Sequence, residues 1–415
     1  MTCAFACSLQ EWEQGLIRPV CKKNDFFYTS DRNKRDFDGI TLITELTVSV
    51  PEDVMELKKR VEGVILGAIL GDCVANPYLF MRAEKLQAQR NQIGWDVHAM
   101  SDESQLLILG LNTILIRGLR YDSLVGAYQS WVGSHPIDVD HLMCQVFGQS
   151  GKLSPGQLWC QAVENDIGNL NSASLLVRQI PLVLASWRLK DEARLLETID
   201  NVTRLTHSDE RTREICRMYA LTLAMLLRGE SRLKIWDALQ AQIRFPSTHD
   251  CIVNSYYFPP CLDNVDYSAN HVTFQRVLYD LWHSHNFVSS IRSCILSGGG
   301  TDMNASAVGA ILGALWGRDG LPMPWLDALY HQYDTSLDVI LKHANQIARR
   351  KTPASSSEKH RSEHYQIPRP KRQKNYPKPI ASPPYASSSH DAKRISQSLA
   401  SVSLTKGSAG ACPDP

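Results

Sequence analysis

Much of what bounds the function of this 415-residue chain is what it lacks. No apolar run reaches the roughly 18 residues that a membrane-spanning helix needs, so no membrane partner is expected. The opening, MTCAFACSLQEWEQGL, has no basic leader and only a short apolar run, which argues against a secretory signal. Eleven cysteines are scattered without a single CxxC pair. They read as reduced thiols of a cytoplasmic or nuclear protein. Cys3 and Cys7 stand close together, but a zinc site takes about four ligands and nothing completes the set. Net charge is nearly absent too: 44 Lys and Arg against 43 Asp and Glu leave +1. A nucleic-acid partner therefore has no electrostatic case from the whole chain.

What is present is 43% hydrophobic residues, ample for a large core. Residues 1–55 are mixed, and ITLITELTVSV within them reads as a strand or hairpin arm. Residues 56–350 are a succession of helical patterns. VEGVILGAIL places Val61, Val64, Ile65, Ala68 and Ile69 on one face. SQLLILGLNTILIRGL, SASLLVRQIPLVLASW, TREICRMYALTLAMLLRG and TFQRVLYDLWHSHNFVSSIRSCIL read as further helices. Several are apolar around most of their circumference, as helices inside a large all-α domain are. Residues 351–415 are rich in Ser, Pro, Lys and Arg and poor in large aliphatics, so a disordered tail is expected. Arg369, Lys371, Arg372 and Lys374 form a basic cluster there, read as a docking point for a nuclear import receptor, a weak anionic patch or plain solvated tail.

Gly63, Gly67 and Gly71 recur every four residues, and so do Gly309, Gly313 and Gly317. On a helix each set forms a bare strip. Mid-helix glycine costs roughly 0.5–1 kcal/mol relative to alanine, so three on one face imply close helix–helix approach in return. If the two helices are antiparallel neighbours, the loops GDCVANP and SGGGTDMN lie at the same end.

Carboxylates gather at these loops. Ser101, Asp102 and Glu103 precede one apolar helix, Thr301 and Asp302 another, and Asp72 closes the first glycine strip. Helix capping explains such positions without any ligand. Hard divalent cations want the same oxygen donors.

Five elements in order resemble the ADP-ribosylglycohydrolase family over roughly residues 57–345. VEGVILGAILGDCVANPYLF looks like the family's opening helix and GD loop, and SDESQLLIL like its T-D-D-T-Q element. LLVRQIPLVLAS is similar to L-M-R-x-A-P-L, and TRLTHSDERTREICRMYALTLAMLLRG to the T-H-x-x-P helix start without its proline. SGGGTDMNASAVGAILGALWGRDGLPMPW is similar to the closing G-G-D-T-D-T-N-A element and P-x-x-W. The resemblance implies a compact, orthogonal multi-helix bundle. It also implies a two-ion Mg²⁺ or Mn²⁺ site that positions ribose and water for cleavage of the C1″ glycosidic bond.

Carried over by position, it assigns Ser101, Asp102, Glu103 and Asp302 as metal ligands, with Asp102 and Asp302 the best catalytic candidates. It assigns Asp72, Arg178, His207, Gly298 and Gly299 to substrate binding. Glu103 replaces an aspartate with a longer acid, and Ser101 replaces a threonine. Gly300 replaces the first acid of D-x-D, Met303 its last hydroxyl, and Leu79 an assisting acid. Ala173 and Ser174 replace an Asn-Gly pair. Two divalent ions about 4 Å apart repel by roughly 16 kcal/mol at an effective dielectric of about 20. With one carboxylate missing and a thioether replacing a hydroxyl, one Mg²⁺ is expected rather than two. Three readings follow: a binder of ADP-ribose or a related nucleotide with weak or lost hydrolysis, an active hydrolase with a rearranged site drawing on Glu84 or Asp96, and a scaffold. An ADP-ribosylated protein is the partner implied.

Overall fold

The computed structural model describes residues 54–136, 139–148, 154–164, 172–188, 192–263 and 269–349. The expectations for residues 1–53, including the strand and the Cys3–Cys7 pair, lie outside the described residues. So do those for the tail from 350 and its basic cluster. Among the described residues there are sixteen α-helices and no strand, an all-α fold.

Two antiparallel helices form the centre. The first, α1 (Val54–Ala75), opens with Glu56 in its first turn, where an acid suits the helix dipole, and is buried almost without interruption from Leu57 onward. The other, α14 (Thr301–Trp316), is buried nearly all round. Their glycine strips meet in reversed order: Gly63 beside Gly313, Gly67 beside Gly309, and Gly71 beside Ala305. A Cβ on Gly67 would stand 2.2 Å from the Gly309 carbonyl oxygen. The backbones touch because no side chain separates them. The antiparallel pairing brings both loops to one end, where the Thr301 hydroxyl donates to the Ala75 carbonyl at 3.0 Å.

Around this pair pack α3 (Asp102–Arg117), α7 (Ser174–Ser186), α9 (Glu210–Leu227) and α16 (Thr335–Arg349). Asp209 caps α9 by accepting from the Thr212 amide at 2.9 Å. The run TFQRVLYDLWHSHNFVSSIRSCIL is two helices rather than one: α12 (Asn270–His283) and α13 (Phe287–Leu296). The break falls at Ser284–Asn286, because the Asn286 side chain accepts from the Ser289 amide at 2.9 Å and starts a new helix.

Arg276 on α12 joins the two. It is wholly buried and donates to Asp280 at 2.6 Å, to the Ser293 hydroxyl at 2.8 Å and to the Ser297 hydroxyl at 3.0 Å. Ser297 ends α13 and leads directly into the glycine loop before α14. Among the described cysteines, Cys73, Cys144, Cys216, Cys251, Cys261 and Cys294 are not in disulfides.

Candidate functional site

Asp72, in the last turn of α1, is fully buried, and its carboxylate is surrounded by donors from one turn. Oδ1 accepts from the Ser101 hydroxyl at 2.6 Å, and Oδ2 from the Ser101 amide at 3.0 Å and the Ser104 amide at 3.3 Å. The Ser104 hydroxyl also donates to Oδ2. Burial pushes the Asp72 carboxyl up to about 6, against the pull of these hydrogen bonds. With both oxygens engaged, Asp72 is a strut that fixes the 101–104 turn. Ser101 also caps α3, accepting from the Glu103 amide at 3.3 Å.

That turn presents Asp102 and Glu103. Glu103 is only 1% exposed, and its Oε2 has no hydrogen-bond partner. Its carboxyl is pushed well above the usual range by burial first, then by the charges of Asp102 and Asp302. Glu103 thus feels the charges of both other acids. Asp302 lies in the first turn of α14 and accepts from the Met303 amide at 2.8 Å. Thr301 was a candidate cap for this helix. Gly300 occupies the cap position instead, with no side-chain bond, because the Thr301 hydroxyl is drawn across to Ala75.

Two residues enter that sequence reasoning missed. The Asp140 amide donates to Asp102 Oδ2 at 3.3 Å, and the Asp140 side chain accepts from the Ser172 hydroxyl at 3.3 Å. Ser172 in turn lies 4.0 Å from the Met303 sulfur. Asp140 caps α5 (His141–Phe147), and no motif marks it, since its neighbours in space are remote in sequence.

The glycine loop is tied to the loop after α1. Gly298 and Gly299 have φ of 73° and 76°, a region glycine enters without strain. The Gly298 amide donates to the Ile295 carbonyl at 2.9 Å and the Gly299 amide to the Met81 carbonyl at 3.1 Å. Neither amide is left to cradle a phosphate, so these glycines shape the loop rather than supply donors. The Phe80 amide donates to the Gly299 carbonyl at 2.8 Å, closing the link.

Arg178 and His207 meet at Thr206. The guanidinium stands 3.5 Å from the Thr206 hydroxyl and 3.1 Å from the Met143 sulfur, and the His207 ring 2.8 Å from the same hydroxyl. Both are buried, and Arg178 Nε has no partner.

The donors of Ser101, Asp102, Glu103 and Asp302 are all hard oxygen, and the buried, unpartnered Glu103 oxygen suits a cation. Gly300 brings no side chain, and Met303 brings a thioether that suits a hard ion poorly. The donor chemistry thus suits a hard cation at the acids but not at positions 300 and 303. Among the described residues no three His, Cys, Asp or Glu side chains close around a common point as a metal cluster would.

An all-helical bundle with acids at the starts of α3 and α14 and a glycine loop leading into α14 agrees with the architecture that the resemblance to the ADP-ribosylglycohydrolases implies. The sequence model of the ADP-ribosylglycohydrolase family matches residues 53–356, and the chain belongs to that family. It is 22% identical over 301 residues to an ADP-ribosylarginine hydrolase of Serratia proteamaculans, covering 68% of this chain and 78% of that protein. It is 20% identical over 289 residues to one of Pseudomonas putida, covering 67% and 75%. A solved structure described as an ADP-ribosylglycohydrolase-related protein complex superposes with a TM-score of 0.58 at 18% identity, covering 72% of this chain and all of that one.

Proposed function

We propose that the protein binds ADP-ribose or a related nucleotide at the end of the bundle where α3 and α14 begin, and hydrolyses it weakly or not at all. The observation that carries this reading is the pair Gly300 and Met303. The backbone around them is held as a site would be, with Thr301 tied to Ala75 and the glycine loop tied to Met81 and Phe80. Two ligand side chains are nonetheless missing from it, and Leu79 adds a third apolar substitution nearby.

In this reading Asp102 and Asp302 touch the ligand, and Asp72 holds the turn that carries Asp102. Arg178 and His207 line the side marked by Thr206. One Mg²⁺ would be held by Asp102, Glu103 and Asp302 with the Ser101 hydroxyl. It would offset the crowded negative charge and polarise a ligand oxygen. Leu79 and Met303 are both only half-buried, which does not favour a scaffold whose cleft has been filled.

A second reading, an active single-ion hydrolase, is favoured by Glu103, whose Oε2 is buried without a hydrogen-bond partner and which feels the charges of Asp102 and Asp302. Calorimetric titration of the full chain with ADP-ribose, with and without Mg²⁺, tests the first reading alongside a turnover assay on ADP-ribosylarginine. Binding without turnover is expected. No binding in either condition overturns it, and Mg²⁺-dependent turnover favours the second.

A further inference from the structure

We infer that the loop after α1 forms a ring-binding subsite beside the carboxylates, so that the preferred ligand is a ribose bearing a flat heteroaromatic ring, as at the nicotinamide end of NAD⁺. This rests on the reading above that the acids hold a ribose. Phe80 has φ of 57°, a left-handed conformation that side chains rarely adopt, and is 47% exposed. Glycine would hold that conformation without strain, yet a large apolar ring stands there. Strain of this kind concentrates at binding sites.

The backbone that carries this ring is tied to the loop that leads to Asp302. The Phe80 amide is bonded to the Gly299 carbonyl, three residues before Asp302. Tyr78, two residues earlier in the same loop, brings a second ring, and Trp95 a third that packs against it. Tyr78 donates its hydroxyl to the Gly94 carbonyl at 2.8 Å and packs against Trp95 with ring centroids 6.4 Å apart. The Arg292 guanidinium lies 5.0 Å over the Trp95 ring.

Charge is close to balanced here. Arg82 faces Asp263, and the Asp96 charge reaches Tyr78. Stacking rather than charge must then supply the contact. Leu79, between Tyr78 and Phe80, offers no carboxylate to accept from a guanidinium on the ligand. Acids that accept sugar hydroxyls beside rings that stack a flat heterocycle together describe a nucleoside.

Calorimetry on the full chain with NAD⁺ and ADP-ribose separates the possibilities. A stacked ring is worth about tenfold in affinity or more, so NAD⁺ is expected to bind at least that much more tightly than ADP-ribose. Phe80→Ala and Phe80→Gly should both remove the difference and leave ADP-ribose affinity unchanged. The glycine variant keeps the backbone shape. Equal affinities in the unaltered protein, or an equal loss for both ligands in the variants, overturns the ring subsite and leaves the ADP-ribose reading standing. Binding of neither ligand overturns both.

Discussion

Gly67 on α1 and Gly309 on α14 pack backbone to backbone, with room for no Cβ at either: each would stand little more than 2 Å from the other's carbonyl oxygen. The contact holds the two loops that carry Asp72 and Asp302 at one end of the bundle. Gly67→Ala would force the central helices apart. We expect a net loss of about 2–4 kcal/mol in chemical denaturation, overpacking outweighing the helix propensity gained. Gly126, in α4 (Tyr121–Val132), has open space at its Cβ position, so Gly126→Ala should stabilise by about 0.5–1 kcal/mol. Losses of equal size at both positions would contradict the close-packing account.

Asp72 makes stability depend on pH. Its folded carboxyl sits at about 6, raised by burial, against about 3.9 when unfolded. Between those values the folded state holds the extra proton. The contribution is complete below the unfolded value and is lost as pH rises through the folded one, about 2–3 kcal/mol in all. Urea midpoints measured from about pH 4 to 7 in chelator should fall less steeply in Asp72→Asn. Glu103 and Asp280 are raised in the same direction and leave a residual slope. Identical slopes in the variant and the unaltered protein would contradict the assignment to Asp72.

Arg276 should be costly to remove alone and cheap to remove with its partner. Arg276→Met leaves Asp280 buried without its cation, at a cost of about 3–5 kcal/mol. Arg276→Met with Asp280→Leu should recover most of that stability. The same single change releases Ser297, so ADP-ribose affinity should fall in Arg276→Met even below its unfolding temperature. A double variant no more stable than the single one would show that the pair is not the source of the loss.

Restoring side chains tests the position-by-position reading of the site. Leu79→Glu, Gly300→Asp and Met303→Thr together should raise the Mg²⁺-dependent thermal shift above that of the unaltered protein. Gly300 has φ of −73°, which an aspartate adopts freely. Glu103→Gln should abolish the Mg²⁺-dependent shift while raising stability in chelator, because the carboxylate it replaces is buried without a full set of partners. No gain in Mg²⁺ response from the triple variant would contradict the alignment of Gly300 and Met303 with lost ligands.

The central pair was legible because spacing of four on a helix is a geometric statement about one face, and bare faces pair. The Ser101 cap was legible for the same local reason. The division of α12 from α13 was missed although polar residues interrupt the apolar pattern from His283 to Asn286, because such an interruption also fits the exposed face of one continuous helix, and only the Asn286 cap decides for a break. Thr301 was misplaced as a cap because its partner, the Ala75 carbonyl, comes from a helix far away in sequence. Asp140 and Ser172 were invisible for that reason too: each reaches the site through contacts that no local pattern encodes. The glycines at 298 and 299 were readable as a special loop, but whether their amides face a ligand or the chain depends on Met81 and Ile295, which sequence does not place.

The most direct test of the account is one preparation of the full chain assayed in parallel for ADP-ribose binding by calorimetry and for ADP-ribosylarginine turnover, both with Mg²⁺. The account expects a measurable binding isotherm with turnover at the level of the blank. Mg²⁺-dependent turnover well above the blank, lost in Asp302→Asn, would contradict it.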